Sequence, residues 1–176
     1  LALVTSTYTF FKSVNSPVTS FASTFTLTVS AGTVAASDLK ALDAKTSVAV
    51  DASAVTVITG TAADLKTVLA ANTITKAADV KVEVDGTVSA ADLNTIAKAT
   101  GGVVKPEVEG SAAALNAALK EVSSDNDITV TLTGTTATAK DLKELATKTS
   151  QPIDASGIET ITGNAADVKA ALAING

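Results

Sequence analysis

The chain contains no cysteine, no histidine, no methionine and no tryptophan, and aromatic residues make up only 3% of it. Without thiols there can be neither a disulfide framework nor a thiol nucleophile. Without imidazole as well, the commonest general base and the usual zinc ligand sets are excluded. Basic residues are scarce too: 13 stand against 18 acidic ones, a net charge of -5. No basic patch is present for nucleic acid, and no polybasic run for anionic lipid. No stretch approaches the roughly 18 apolar residues that a membrane-spanning helix requires. Leu1 stands where an initiator Met would, which points to a processed chain or a piece of a longer one.

What remains is an aliphatic protein. Hydrophobic residues, chiefly Ala, Val, Leu and Ile, make up 46% of 176 residues. That length suffices for a continuous core. Small side chains favour thin, closely stacked layers.

The chain is internally duplicated. Asp38 to Thr73 aligns without a gap on Asp141 to Gly176, with 20 of 36 positions identical. Both copies carry D-L-K-x-x-L, then K-T-S, D-A-S, I-T-G and A-A-D, for example at Asp51-Ala52-Ser53 and Asp154-Ala155-Ser156. A finer unit follows from the A-A-D-L element, which places Asp38, Asp64, Asp92, Ala114, Asp141 and Asp167 in one column at spacings of 26, 28, 22, 27 and 26 residues. Six units at this period predict a solenoid of strand-turn-helix repeats.

Each unit reads alike. Thr61, Ser89, Ser111, Thr138 and Asn164 stand three residues before the column, as helix N-caps do. The column Asp then falls in the first helical turn, where the macrodipole favours a negative charge. Apolar residues recur at helical spacing after it, as in Leu65, Val68 and Leu69, and predict helices of about ten residues with one narrow buried stripe. Between helices, Val48 to Ile58, Val80 to Val84, Val103 to Val108 and Ile128 to Leu132 are rich in β-branched residues and predict short parallel strands. Gly32, Gly60, Gly86, Gly110, Gly134 and Gly163 punctuate the strand-to-helix turns.

Residues 1–30 differ. All five aromatics, Tyr8, Phe10, Phe11, Phe21 and Phe25, lie there. Phe21, Phe25, Leu27 and Val29 alternate with Thr24, Thr26, Thr28 and Ser30 over most of that stretch, the pattern of an extended strand with one apolar face. The expected organisation is an N-terminal β-strand extension, residues 1–30, joined to an α/β repeat domain, residues 31–176. Tyr8, Phe10, Phe11, Phe21, Phe25 and Leu27 are the candidate assembly residues: they would cap the first unit or add a strand to a neighbouring subunit.

From Leu39 to Leu65 the pattern L-x-x-L-x-x-K-T-x-x-x-V-D-A-S-x-V-x-x-I-T-G-x-A-A-D-L, recurring with exchanges from Leu142 to Val168, resembles the Ala/Thr/Asp-rich tandem repeats of very large surface proteins, adhesin-like or S-layer-like, of cyanobacteria and other marine bacteria. Residues 1–30 fall outside the resemblance. It implies a secreted or cell-surface protein, in chains that often also carry hemolysin-type calcium repeats, and it brings no functional residues with it.

Three constellations invite a chemical reading. Ser37-Asp38-Leu39-Lys40 fits S-x-x-K and Ser124-Asp125-Asn126 fits S-D-N, but Lys148-Thr149-Ser150 lacks the Gly that would complete the set found in penicillin-recognising serine enzymes. Asp51 and Asp154 could form a carboxylate pair for glycoside cleavage, yet they are equivalent positions of the duplication, where turn formation explains both. Asp125-Asn126-Asp127 could meet calcium but lacks the Gly and distal Glu of an EF-hand loop. The expectation is therefore a non-enzymatic structural protein without a cofactor: a self-assembling subunit of an extracellular filament or layer, joined as a homo-oligomer or polymer by its N-terminal strand. The alternative is an adhesin module that binds a glycan or a protein.

Overall fold

The computed structural model describes residues 4–5, 26–119, 122 and 126–174. Tyr8, Phe10, Phe11, Phe21 and Phe25 lie outside the described residues.

The elements run β1 (Val4–Thr5), β2 (Thr28–Val29), β3 (Gly32–Ala35), α1 (Ala36–Asp43), β4 (Val50–Ala52), β5 (Val55–Gly60) and α2 (Ala62–Ala70). Next come β6 (Ile74–Lys76), β7 (Lys81–Thr87), α3 (Ala90–Ala99), β8 (Val104–Gly110) and α4 (Ala112–Ala118). Then follow β9 (Thr129–Leu132), β10 (Thr136–Thr138), α5 (Ala139–Leu145), β11 (Ile153–Asp154), β12 (Thr160–Thr162) and α6 (Ala165–Leu172). The protein is a mixed α/β fold with parallel sheets and six helices among the described residues.

Strand order follows chain order. The largest sheet runs β3-β5-β7-β8-β9-β11, every neighbour parallel. A second runs β1-β2-β4-β6, parallel except for the antiparallel β1–β2 pair, and β10 pairs with β12. Each helix packs on the next, from α1 to α6.

The register explains the core. Val34, Ile58, Val82 and Val104 are successive partners across β3, β5, β7 and β8, and Val108, Val130 and Ile153 continue across β8, β9 and β11. All seven are buried. Each such side chain taken fully out of water contributes about 1.5–3 kcal/mol, before the ordering cost of the chain. Opposite them, Leu39, Leu65, Leu93, Leu115 and Leu142, one from each of the first five helices, close the core from the helix side.

The ladder between β7 and β8 breaks between Glu83 and Thr87. Pro106 on β8 has no N–H to donate there, and Gly86, at φ 71°, carries the irregularity before Val88 N donates to Glu107 O at 2.8 Å.

One expectation needs correction. Val48 to Ile58 is not one strand but two, β4 and β5, in different sheets. The cause is local: Asp51 Oδ1 accepts from Ser53 N at 3.0 Å and from Ser53 Oγ at 2.6 Å, so the chain turns at Ser53-Ala54. Ile74–Lys76 is a further strand that the pattern did not signal; it extends β4 in register, Ile74 beside Val50.

Candidate functional site

The densest polar pattern lies along the helix layer. Thr61, Ser89, Ser111, Thr138 and Asn164 are N-caps, each accepting from the backbone N–H three residues on. Four of those residues are the column aspartates, and Asp64, Asp92, Asp141 and Asp167 also accept a hydrogen bond back from the cap side chain. Only α1, capped by Ala35, has no side-chain cap among these helices.

The column then links unit to unit. Lys40 pairs with Asp64 and Lys66 with Asp92, while Lys143 Nζ lies 2.7 Å from Asp167 Oδ1. Each lysine stands two residues after the column of its own unit and reaches the column of the next. The Lys40 ammonium, and behind it the Thr61 hydroxyl, holds the Asp64 carboxyl below the usual carboxylate range. Lys66 with Ser89 and Lys143 with Asn164 act likewise on Asp92 and Asp167. Where the next column is Ala114 and offers no carboxylate, the linking position is Asn94, which donates to Ala118 O. Asn116 donates to Asp141 O at 2.8 Å rather than to its carboxylate. The repeated lysine was visible in D-L-K; unit spacing could have revealed its partner.

Turns after the helices are fixed by threonine. Thr46, Thr100 and Thr149 hydroxyls accept from the backbone N–H of Val48, Gly102 and Gln151. Thr149, buried, also donates to Ile128 O at 2.6 Å and so joins α5's unit to β9's. Lys76 donates to Ala71 O and Ile74 O, both at 2.8 Å, and burial pushes its ammonium pKa down.

Two of the residues that suggested catalysis make contacts between units. Lys40 is paired with Asp64, and Thr149 spans two units. Ser37 is exposed on α1, and Ser124 lies outside the described residues. Asp51 sits in the β1-β2-β4-β6 sheet and Asp154 in the six-stranded one, so the two are not assembled as a pair on one strand array. Each carboxyl is held below its ordinary range by its own turn: Asp51 by the Ser53 hydroxyl and N–H, Asp154 by the Ser156 N–H and hydroxyl.

For the calcium candidate, Asp125 lies outside the described residues. Asn126 Oδ1 accepts from Val104 N at 2.9 Å, and Asp127 accepts from Ser150 Oγ at 2.9 Å and Gln151 Nε2 at 3.1 Å. Among the described residues no three acidic side chains converge as a metal cluster would require. No helix among them is long and apolar enough to cross a membrane.

Of the candidate assembly residues, Leu27 alone is described, and it is buried with Val29 while Thr26 and Thr28 are exposed. β2 is hydrogen-bonded to β4 and to β1 of the same chain.

The chain matches no protein-family model, no curated protein and no solved structure.

Proposed function

We propose that the chain is a non-enzymatic structural protein, a solenoid of six strand-and-helix units serving as a repeat subunit of a bacterial surface filament or layer. The observation that carries this reading is the agreement of chain order with strand order and helix order. Units hold their neighbours through their apolar stripes and, at Asp64, Asp92 and Asp167, through the column carboxylate as well, as stacked repeats do. Asp51 and Asp154 are engaged in their own turns, and Lys40, Lys66, Lys143, Asp64, Asp92 and Asp167 in caps and inter-unit pairs. Placement outside the cell rests on the resemblance of Leu39–Leu65 to surface repeats. Electron microscopy of the purified protein tests the reading: ordered fibres or sheets are expected, and dispersed particles at every concentration contradict it.

A binding-module reading draws on a hollow of about 290 Å³ lined by Lys105, Pro106, Glu107, Asp127 and Gln151. It opens where Pro106 interrupts the ladder. No aromatic residue follows Phe25, so this hollow lacks the stacking platform that sugar sites use. Retention of the protein on immobilised glycans would support that reading over the first.

A further inference from the structure

Numbered by their helices, the six units divide at the fourth. Units 1, 2, 3, 5 and 6 each contribute two strands to two different sheets: β2 and β3, β4 and β5, β6 and β7, β9 and β10, β11 and β12. Unit 4 contributes β8 alone. The ladder β2-β4-β6 therefore ends at unit 3, and β10 pairs with β12 only within units 5 and 6. Among the described residues, the six-stranded sheet is the one sheet that crosses unit 4.

The helix layer makes an exception of the same unit. Lys40 with Asp64 and Lys66 with Asp92 join units 1 to 3, and Lys143 with Asp167 joins units 5 and 6. On either side of α4 the linking residue is an asparagine, Asn94 or Asn116, that donates to a backbone carbonyl. The buried Asn116 Oδ1 has no hydrogen-bond partner among the described residues. One ion pair does reach unit 4 on its sheet side, Lys105 Nζ to Glu83 Oε1 at 3.3 Å, but both side chains are about half exposed and such pairs add little.

The core is thinner there as well. Val68, Ile96 and Leu145 lie three residues after the stripe leucine of α2, α3 and α5 and are fully buried, whereas α4 has the half-buried Ala118 at that place. Less apolar surface leaves water at unit 4 than at its neighbours. The ladder break at Pro106 falls on the same interface, between β7 and β8. In the resting fold β8 still pairs with strands on both sides, and Val104, Val108 and Leu115 are buried, so the stack is continuous. A stack of repeats sums the stabilities of its units and of the interfaces between them, and it gives way where an interface is weakest.

We propose that unit 4, β8 with α4, is a joint between two cooperative blocks, units 1–3 and units 5–6, either of which can open while the other stays folded. The inference goes beyond the structural role and does not depend on assembly. A subunit divided in this way yields to strain by opening one block and refolds against the block that remains.

Hydrogen exchange read by mass spectrometry, on the 176-residue chain at urea concentrations below the unfolding midpoint, tests it. End units fray in any array, so the comparison is between units 2 and 5, each flanked on both sides. Amides of α5, whose block has two units, are expected to lose protection at lower urea than amides of α2, whose block has three, and to be at least about tenfold less protected without urea. Leu142→Ala, at a buried position of α5, is expected to lower protection in β9 and α5 at least about thirtyfold or to abolish it. It is expected to leave protection in β5 and α2 within about twofold of wild type. One common urea dependence for α2 and α5 in the wild type, a boundary between blocks at any unit other than the fourth, or an equal loss in both blocks on Leu142→Ala would each overturn the joint.

Discussion

Gly60 passes so close to Ala36 that a β-carbon built on it would lie 3.3 Å from the Ala36 β-carbon. The duplicated pair repeats this, with Gly163 and Ala139 at 3.1 Å. Ala36 and Ala139 open α1 and α5, and both are fully buried. Gly60 and Gly163, at φ 148° and 153°, carry the next unit's chain across those helix starts. Gly60→Ala is expected to cost about 1–3 kcal/mol, from backbone strain with a tight contact added. Gly32→Ala, at φ 130° but facing open space, is expected to cost less. Urea midpoints at constant m-value measure both.

The helix caps make a prediction of opposite signs. Thr61→Ala and Ser89→Ala each remove an acceptor for a helix N–H and are expected to destabilise by about 1 kcal/mol. Ala35→Ser supplies the acceptor that α1 lacks and is expected to stabilise by about 0.5–1 kcal/mol. Thermal or urea unfolding of the three variants decides it.

Twin positions test how much burial comes from stacking. Leu65 is fully buried beneath its neighbour, while Val168 at the equivalent place is half-buried. Leu65→Ala is expected to cost about 2–5 kcal/mol. Val168→Ala is expected to cost under about 1.5 kcal/mol in the monomer. Equal costs would mean that the two faces are equally covered.

The lysine ladder sets a pH dependence. Asp64, Asp92 and Asp167 have carboxyl pKa values lowered by Lys40, Lys66 and Lys143 respectively. In the unfolded chain these groups titrate near about 3.9 and bind protons first as pH falls. Their contribution is therefore fully present above that value and is lost as pH drops through the lower folded-state values. Stability measured by urea unfolding is expected to be flat near neutrality and to fall below about pH 4. Replacing all three aspartates by asparagine is expected to reduce that acid slope and to leave the part carried by Asp51, Asp127 and Asp154, whose carboxyls are also held below the ordinary range.

Much of this architecture was legible because it repeats. The caps stand at Thr61, Ser89, Ser111, Thr138 and Asn164 as the column spacing predicts, since capping is decided within four residues of chain. The parallel sheet was legible for a similar reason: β-branched runs alternating with short helical patterns require crossovers. The split of Val48 to Ile58 was hidden because the residues on both sides of Ser53-Ala54 are good strand formers, and the Asp51 side chain alone turns the chain. Ile74–Lys76 was hidden because three residues carry too little pattern; Val50 across the sheet makes it a strand. Of the candidate assembly residues only Leu27 is described, and its alternation with Thr26 and Thr28 matches the burial seen, while the link from Lys66 to Asp92 needed three dimensions, because 26 residues separate its ends.

The central claim is that parallel strands stack in chain order, and engineered disulfides test it most directly because the chain has no cysteine of its own. Glu83 and Lys105 are register partners on β7 and β8, as are Glu107 and Thr129 on β8 and β9. Neighbouring strands lie about 4.8 Å apart, within the Cα separation of about 4.4–6.8 Å that a disulfide spans. Glu83→Cys with Lys105→Cys, and Glu107→Cys with Thr129→Cys, are therefore expected to form intramolecular disulfides on mild oxidation, quantified by mass spectrometry. Glu83→Cys with Thr129→Cys, two strands apart, is expected to stay reduced. Oxidation of that third pair with the first two left as thiols would contradict the account.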